Sequence, residues 1–172
     1  MHNCFPYVQN EANLKCLADC QSWVAEQRKS EVTVVRGKGL AAKDMRTVFN
    51  KATSDPYYTL EFKGRSFTSE HRPKTLEPEW KPAPFDLGWI TEAETAPLKI
   101  ELFDYDCLSS DDFMGQRWIP GCALYDLGPG HHTFWFLLGD FKMRSDVKED
   151  VFGDILIHIV VQEEENEAIK LD

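Results

Sequence analysis

Along the first thirty positions the apolar residues recur at steps of three and four, with Leu14, Leu17, Cys20 and Val24 on one face. That is the period of an amphipathic helix over 10–28, with Asn10 placed to cap its start and Arg28-Lys29 at its C-terminal end. Charge falls on the other face at Lys15, Asp19 and Glu26, so the helix is expected to pack on the domain or on a protein partner. After Ser30 the pattern changes to the alternation of strands, in short runs separated by turn signals, at 31–36, 57–62, 65–68, 84–87, 98–103, 114–119, 133–137 and 154–161. These runs predict an all-β fold, an eight-stranded antiparallel β-sandwich of two packed sheets with the helix as an N-terminal extension. The resulting division is 1–30 for the helical extension, 31–162 for the sandwich and 163–172 for an acidic C-terminal tail, whose run Glu163-Glu164-Glu165-Asn166-Glu167 reads as solvated surface.

The connections differ in kind. Lys63-Gly64 is a tight hairpin turn, whereas 37–54 and 104–112 are long, polar and carry aspartates. Long loops on a rigid scaffold are where function usually sits.

Composition narrows the chemistry. With 172 residues and 42% hydrophobic content the chain can bury one ordinary core. A formal net charge of -10 argues against nucleic acid as a partner and against unaided binding to an anionic bilayer, since both need a positive field. An acidic partner would have to be reached through a bound cation. No apolar run approaches the roughly 20 residues of a membrane-spanning helix, and the N-terminus lacks the basic-then-apolar order of a signal peptide, so a soluble, intracellular chain is expected. Five cysteines, Cys4, Cys16, Cys20, Cys107 and Cys122, fit a reducing compartment better than a disulfide framework. A zinc site from His2, Cys4, Cys16 and Cys20 is disfavoured because Cys16 and Cys20 share a helix face but lack the usual close pairing, and the cysteines read as buried thiols.

The run at 98–103 leads straight into Asp104-Tyr105-Asp106-Cys107-Leu108-Ser109-Ser110-Asp111-Asp112. Alternate residues of an extended segment face the same side, so Asp104 and Asp106 project together and Asp112 returns toward them as the loop turns back. Two unit charges 4 Å apart repel by about 1 kcal/mol in water and by roughly 4 at an effective dielectric of 20. A hard divalent cation removes that repulsion, and Ca²⁺, which takes six to eight oxygens in flexible geometry, suits the donors better than Mg²⁺. Adjacent His131 and His132 on a strand face opposite ways without a nucleophile motif, so no enzyme is expected.

Four further segments carry a resemblance. Gly39-Leu40-Ala41-Ala42-Lys43-Asp44, Ser54-Asp55-Pro56-Tyr57, Lys74-Thr75-Leu76-Glu77-Pro78-Glu79-Trp80, and Phe103-Asp104-Tyr105-Asp106 with Asp111-Asp112-Phe113-Met114-Gly115 resemble, in order, the signatures of the C2 domain, the lipid-binding module of conventional protein kinases C and synaptotagmins. The resemblance implies Ca²⁺ ligands at Asp44, Asp55, Asp104, Asp106 and Asp112, with Asp111 as a non-ligand neighbour. It also implies the permuted, type II strand order, because the run at 154–161 resembles the strand that comes first in the synaptotagmin arrangement. The loop between Asp44 and Asp55 is longer than in typical members and carries an insertion around Arg46-Thr47-Val48-Phe49-Asn50-Lys51. Bound Ca²⁺ in this family leaves coordination positions open to lipid phosphate or phosphatidylserine carboxylate, so the expected partner is an anionic phospholipid membrane. Met45, Val48, Phe49 and Leu108 are the apolar loop residues expected to contact it. Lys63, Arg65, Arg72 and Lys74 lie near a basic face that other members use for phosphoinositides, but Phe67 stands at one of its basic positions. The implied function is Ca²⁺-dependent membrane targeting, cytoplasmic until calcium rises. The alternative is a calcium-independent protein–protein interaction module.

Overall fold

The structure, a computed structural model, describes residues 26–44, 52–140 and 151–163. Its eight strands are β1 (Gln27–Lys38), β2 (Pro56–Phe62), β3 (Arg65–Thr68), β4 (Phe85–Thr91), β5 (Leu98–Asp104), β6 (Asp112–Ile119), β7 (Gly130–Leu137) and β8 (Asp154–Glu163). Alternation drives them. Along β5 the residues Leu98, Ile100, Leu102 and Asp104 are buried and those between are not, and β2 repeats the pattern with Pro56, Tyr58, Leu60 and Phe62.

Two antiparallel four-stranded sheets result, ordered β4-β1-β8-β7 and β3-β2-β5-β6. Their inner faces close on one core, in which Val32, Val34, Tyr58, Leu60, Ile100, Leu102, Met114, Ile155 and Ile157 are buried. β8 lies between β1 and β7, so the permuted order expected from the resemblance is the one observed. The strands run longer than their apolar runs. β1 extends to Gln27 and Lys38 through two irregularities, at Ser30/Glu31 and Val34/Arg36, because pairing with β8 continues from Arg28↔Glu163 to Lys38↔Asp154. Such bulges let a strand keep its ladder while breaking strict alternation.

The helix expected over 10–28 lies outside the described residues except at its last three positions, which correct it. Glu26 is irregular, and Gln27 and Arg28 already pair with Thr91 and Ile90 of β4. The Arg28 guanidinium lies 4.2 Å from the Tyr125 ring centroid and donates to the Tyr125 carbonyl, so tertiary pairing overrides the local three-four period. A different, short helix was not read from the sequence: α1 (Gly121–Asp126) closes the end of the sandwich, burying Leu124 and Tyr125.

At the opposite end the first long loop is held at its root. Gly153 has φ +111, and a Cβ there would stand 2.8 Å from the Gly39 carbonyl oxygen and 3.0 Å from Leu40 Cα. Gly153→Ala is therefore expected to lower stability by about 1–3 kcal/mol, the cost of a strained backbone position, as read from the urea midpoint. An unchanged midpoint would show that the Gly39–Leu40 segment yields freely.

A candidate cation site between the aspartate loops

The floor of the site is the ladder β2–β5–β6. Asp104 ends β5 opposite Pro56 on one side and Asp112 on the other. It is only 2% exposed, and its Oδ1 accepts the Asp55 N–H at 2.5 Å. Burial pushes its carboxyl above the usual value. Hydrogen bonds from the Asp55 N–H and the Ser54 side chain pull it down, and the charges of Asp44 and Asp55 push it up again, with a net rise. Ser54, itself buried, fixes the first loop by accepting from the Lys43 N–H at 2.9 Å and donating to the Ala41 carbonyl at 3.1 Å.

Asp44 is exposed; its N–H donates to the Thr53 carbonyl at 3.0 Å and its Oδ2 accepts the Thr53 hydroxyl at 3.2 Å. Asp55 takes the Lys74 N–H on Oδ1 at 2.6 Å, and its carbonyl accepts the Tyr105 N–H at 3.1 Å. Asp106 accepts the Ser109 hydroxyl on Oδ2 at 3.0 Å.

All five expected aspartates thus stand at one end of the sandwich, with Asp44 and Asp55 near enough to Asp104 to raise it and Asp112 beside it across the ladder. Among the described residues, however, no three His, Cys, Asp or Glu side chains converge closely enough to hold a metal ion as they stand. As they stand, an oxygen of each of Asp44, Asp55, Asp104 and Asp106 accepts from a nearby hydroxyl or amide. The donor chemistry fits Ca²⁺, being all hard oxygen with no nitrogen or thiolate.

Sequence reasoning undervalued several residues here. Asp111 braces the third loop: its Oδ1 accepts the Asp106 N–H at 3.0 Å and its Oδ2 the Tyr57 hydroxyl at 2.6 Å, and these bonds hold its carboxyl below the usual range. Burial together with Asp111 pushes the Tyr57 phenol up to about 12. His71, in the segment after β3, stacks on Tyr105 with centroids 4.5 Å apart. The Lys74 amide reaches Asp55 from a backbone at φ 55. Only the acidic pair Asp111-Asp112 was a signal for any of this; the approach of the segment after β3 is set by tertiary packing.

Leu108 is 97% exposed at the third-loop tip, whereas Met45, Val48 and Phe49 lie outside the described residues. The four basic residues do not form one face. Lys63 pairs with Glu94 and Arg65 bonds the Leu87 carbonyl at 2.6 Å, away from Arg72 and Lys74, which flank the aspartate end.

The C2 domain family model matches residues 28–138, and the chain belongs to the C2 domain family. Arrestin domain-containing protein B of Dictyostelium discoideum is 32% identical over 96 residues, covering 55% of this chain and 15% of that protein. Multiple C2 and transmembrane domain-containing protein 1 of Homo sapiens is 36% identical over 90 residues, covering 52% of this chain and 8% of that protein. The chain therefore spans a small part of the length of these relatives. The calcium-bound tandem C2 domains of Extended-Synaptotagmin 2 superimpose with a TM-score of 0.63 at 22% identity, covering 81% of this chain and 47% of that one, a likeness of fold. Among the described residues no helix is long and apolar enough to cross a membrane.

Proposed function

We propose that this domain docks on anionic phospholipid membranes when it binds Ca²⁺. The observation that carries the reading is Asp104: a carboxyl 2% exposed, with its charged form disfavoured, facing the charges of Asp44 and Asp55 and paired across the ladder with Asp112. Asp44, Asp55, Asp104, Asp106 and Asp112 would hold the ion, which supplies positive charge and open coordination positions for lipid phosphate or phosphatidylserine carboxylate.

The chain's own residues account for the switch. Without the ion, the acidic loops repel an anionic surface, and that repulsion acts within a Debye length of about 8 Å at physiological salt. Leu108 is already presented to solvent. Burying it would contribute roughly 1.5–3 kcal/mol, and Met45, Val48 and Phe49 are assigned the same role from their places in the first loop. The domain is read as a non-enzymatic module, cytoplasmic at rest and peripheral to membranes when calcium rises. The calcium-independent reading has one observation in its favour, the exposed apolar residues Phe134, Trp135 and Leu137 on edge strand β7, which suit a protein contact.

The test is sedimentation with phosphatidylserine-containing liposomes in Ca²⁺ or chelator, alongside calorimetric Ca²⁺ titration, on the parent and on Asp104→Asn/Asp106→Asn. The parent is expected to sediment only with Ca²⁺ and the double variant in neither condition. Equal sedimentation of the parent with and without chelator, with no Ca²⁺ heat, would sink the proposal. Calcium heat without lipid binding would replace it with a Ca²⁺-regulated protein contact.

A further inference from the structure

The sheet β4-β1-β8-β7 turns an apolar surface outward on its β7 side, and strand register fixes which residues share it. Ile155, Ile157 and Ile159 of β8 are buried and pair with Phe136, Phe134 and His132, so the alternate pairs, Leu156 with Trp135 and Asp154 with Leu137, face away from the core. β1 continues these rows, since Arg36 pairs with Leu156 and Lys38 with Asp154. The Arg36 guanidinium reaches across Leu156 to within 5.2 Å of the Trp135 ring centroid. Trp135 is 43% exposed, Leu137 65%, and Phe152, two residues before β8, 50%. Apolar side chains grouped in this way mark a surface that something covers.

The surface lies at the aspartate end. Leu137, Asp154 and Lys38 stand in one row, where β1 hands the chain to the first loop. Gly139, two residues past Leu137, exchanges backbone hydrogen bonds with Gln116 of β6 at 3.0 and 3.1 Å, and β6 begins at Asp112. The patch therefore borders the third loop, whose tip presents Leu108.

A protein and a lipid surface would each cover such a patch, and two further features favour lipid. Its composition is that of a membrane boundary: a half-exposed indole, a guanidinium whose stem lies along apolar neighbours, and aliphatic and aromatic side chains beside them. Its charge is also permissive. A cleft of about 370 Å³ beside Trp135 is lined by Arg36 and Lys38 against Glu77 and Glu79, with Arg36 4.0 Å from Glu79. Two bases against two acids leave no field to repel an anionic surface, in contrast with the aspartate loops. Trp135 lies two residues from Leu137, roughly 7 Å further from the loops at 3.3–3.4 Å per residue. An upright domain would hold it back, and a lean toward β7 lowers it.

We propose that the domain leans onto its β7 side once the loops engage, so that Trp135, Leu137 and Phe152 enter the headgroup region of the same bilayer as a second contact. This rests on the membrane reading above.

The experiment titrates phosphatidylserine–phosphatidylcholine vesicles, in saturating Ca²⁺, into the parent, Leu137→Asp and Trp89→Asp, with sedimentation as the readout. Melting temperature and calorimetric Ca²⁺ titration without lipid check each variant. Leu137→Asp is expected to need about tenfold more lipid for half-binding, with its Ca²⁺ heat unchanged. Trp89, 43% exposed on the other edge strand of the sheet, takes the same charge away from the patch, and Trp89→Asp is expected to bind like the parent. Nitroxide-labelled lipid is expected to quench the share of tryptophan emission that Trp135→Phe removes, which reads the contact without adding a charge. Leu137→Asp sedimenting like the parent, or Trp135 emission left unquenched, would overturn the inference and leave the β7 side to a protein partner. Equal weakening by Trp89→Asp would overturn it too, as an effect of charge and not of place. A parent that stays in solution with Ca²⁺ would sink the membrane reading itself, and this inference with it.

Discussion

Asp104→Asn is expected to raise the unfolding temperature of the metal-free domain and, in the same variant, to erase the stabilisation expected of Ca²⁺ in the parent. Both follow from one buried carboxyl whose proton is held more tightly in the fold than in the unfolded chain. For such a group the native state binds more protons, so stability falls as pH rises from the ordinary carboxylate value through the raised one, and stays at the lower level above it. Asparagine carries no charge and its side-chain oxygen can still accept the Asp55 N–H. The gap between variant and parent should therefore widen with pH across that window and be constant above it. Taking the difference matters, because Asp111 is shifted the other way by its bonds to the Asp106 N–H and Tyr57, and its contribution is lost as pH falls. With Ca²⁺ at a hundred times its dissociation constant, one bound ion adds about 2.7 kcal/mol. Calorimetric melts of both proteins, with Ca²⁺ and with chelator, read both effects. An Asn variant that melts lower in chelator, or keeps the full Ca²⁺ shift, would remove Asp104 from the centre of the site.

Leu102→Ala is expected to give the largest loss of stability, about 2–5 kcal/mol. Leu102 is fully buried, in the middle of β5 and between Tyr58 and Gly115 on the neighbouring strands. Its removal strips packing from both sheets, and the cavity cannot collapse easily, because the β2–β5–β6 ladder fixes the backbone around it. A domain typically has only 5–15 kcal/mol in hand, so the variant should unfold at a much lower urea concentration with an unchanged slope. A loss below about 1 kcal/mol would mean the core repacks around the gap.

The strands were most legible where their core positions alternate without interruption, as in β2 and β5: Leu98, Ile100, Leu102 and Asp104 in β5 are written in the chain as they stand in the sheet. Strand ends were less legible. β6 begins at Asp112, before the apolar run, because Asp112 is held opposite Asp104 by the ladder. α1 was missed since six residues give less than two turns of period, and three of them, Cys122, Ala123 and Asp126, face solvent. The end of the expected N-terminal helix failed at Arg28, where a tertiary contact with Tyr125 outweighs local period. The aspartates were readable as a set because like charges so spaced need a reason. The hydrogen bonds that their oxygens accept, from Ser109 or the Lys74 amide, depend on loop paths that no local pattern encodes.

The pairing of β1 with β8 has a consequence for leverage. Arg28 and Glu163 are partners at one end of these strands, while β1 delivers the chain to the first aspartate loop at the other. Twelve residues at ~3.3 Å each put roughly 35–40 Å between the two ends. Arg28 and Glu163 are therefore held, like the grip of a stamp, at the end of the domain away from whatever surface the loops press against.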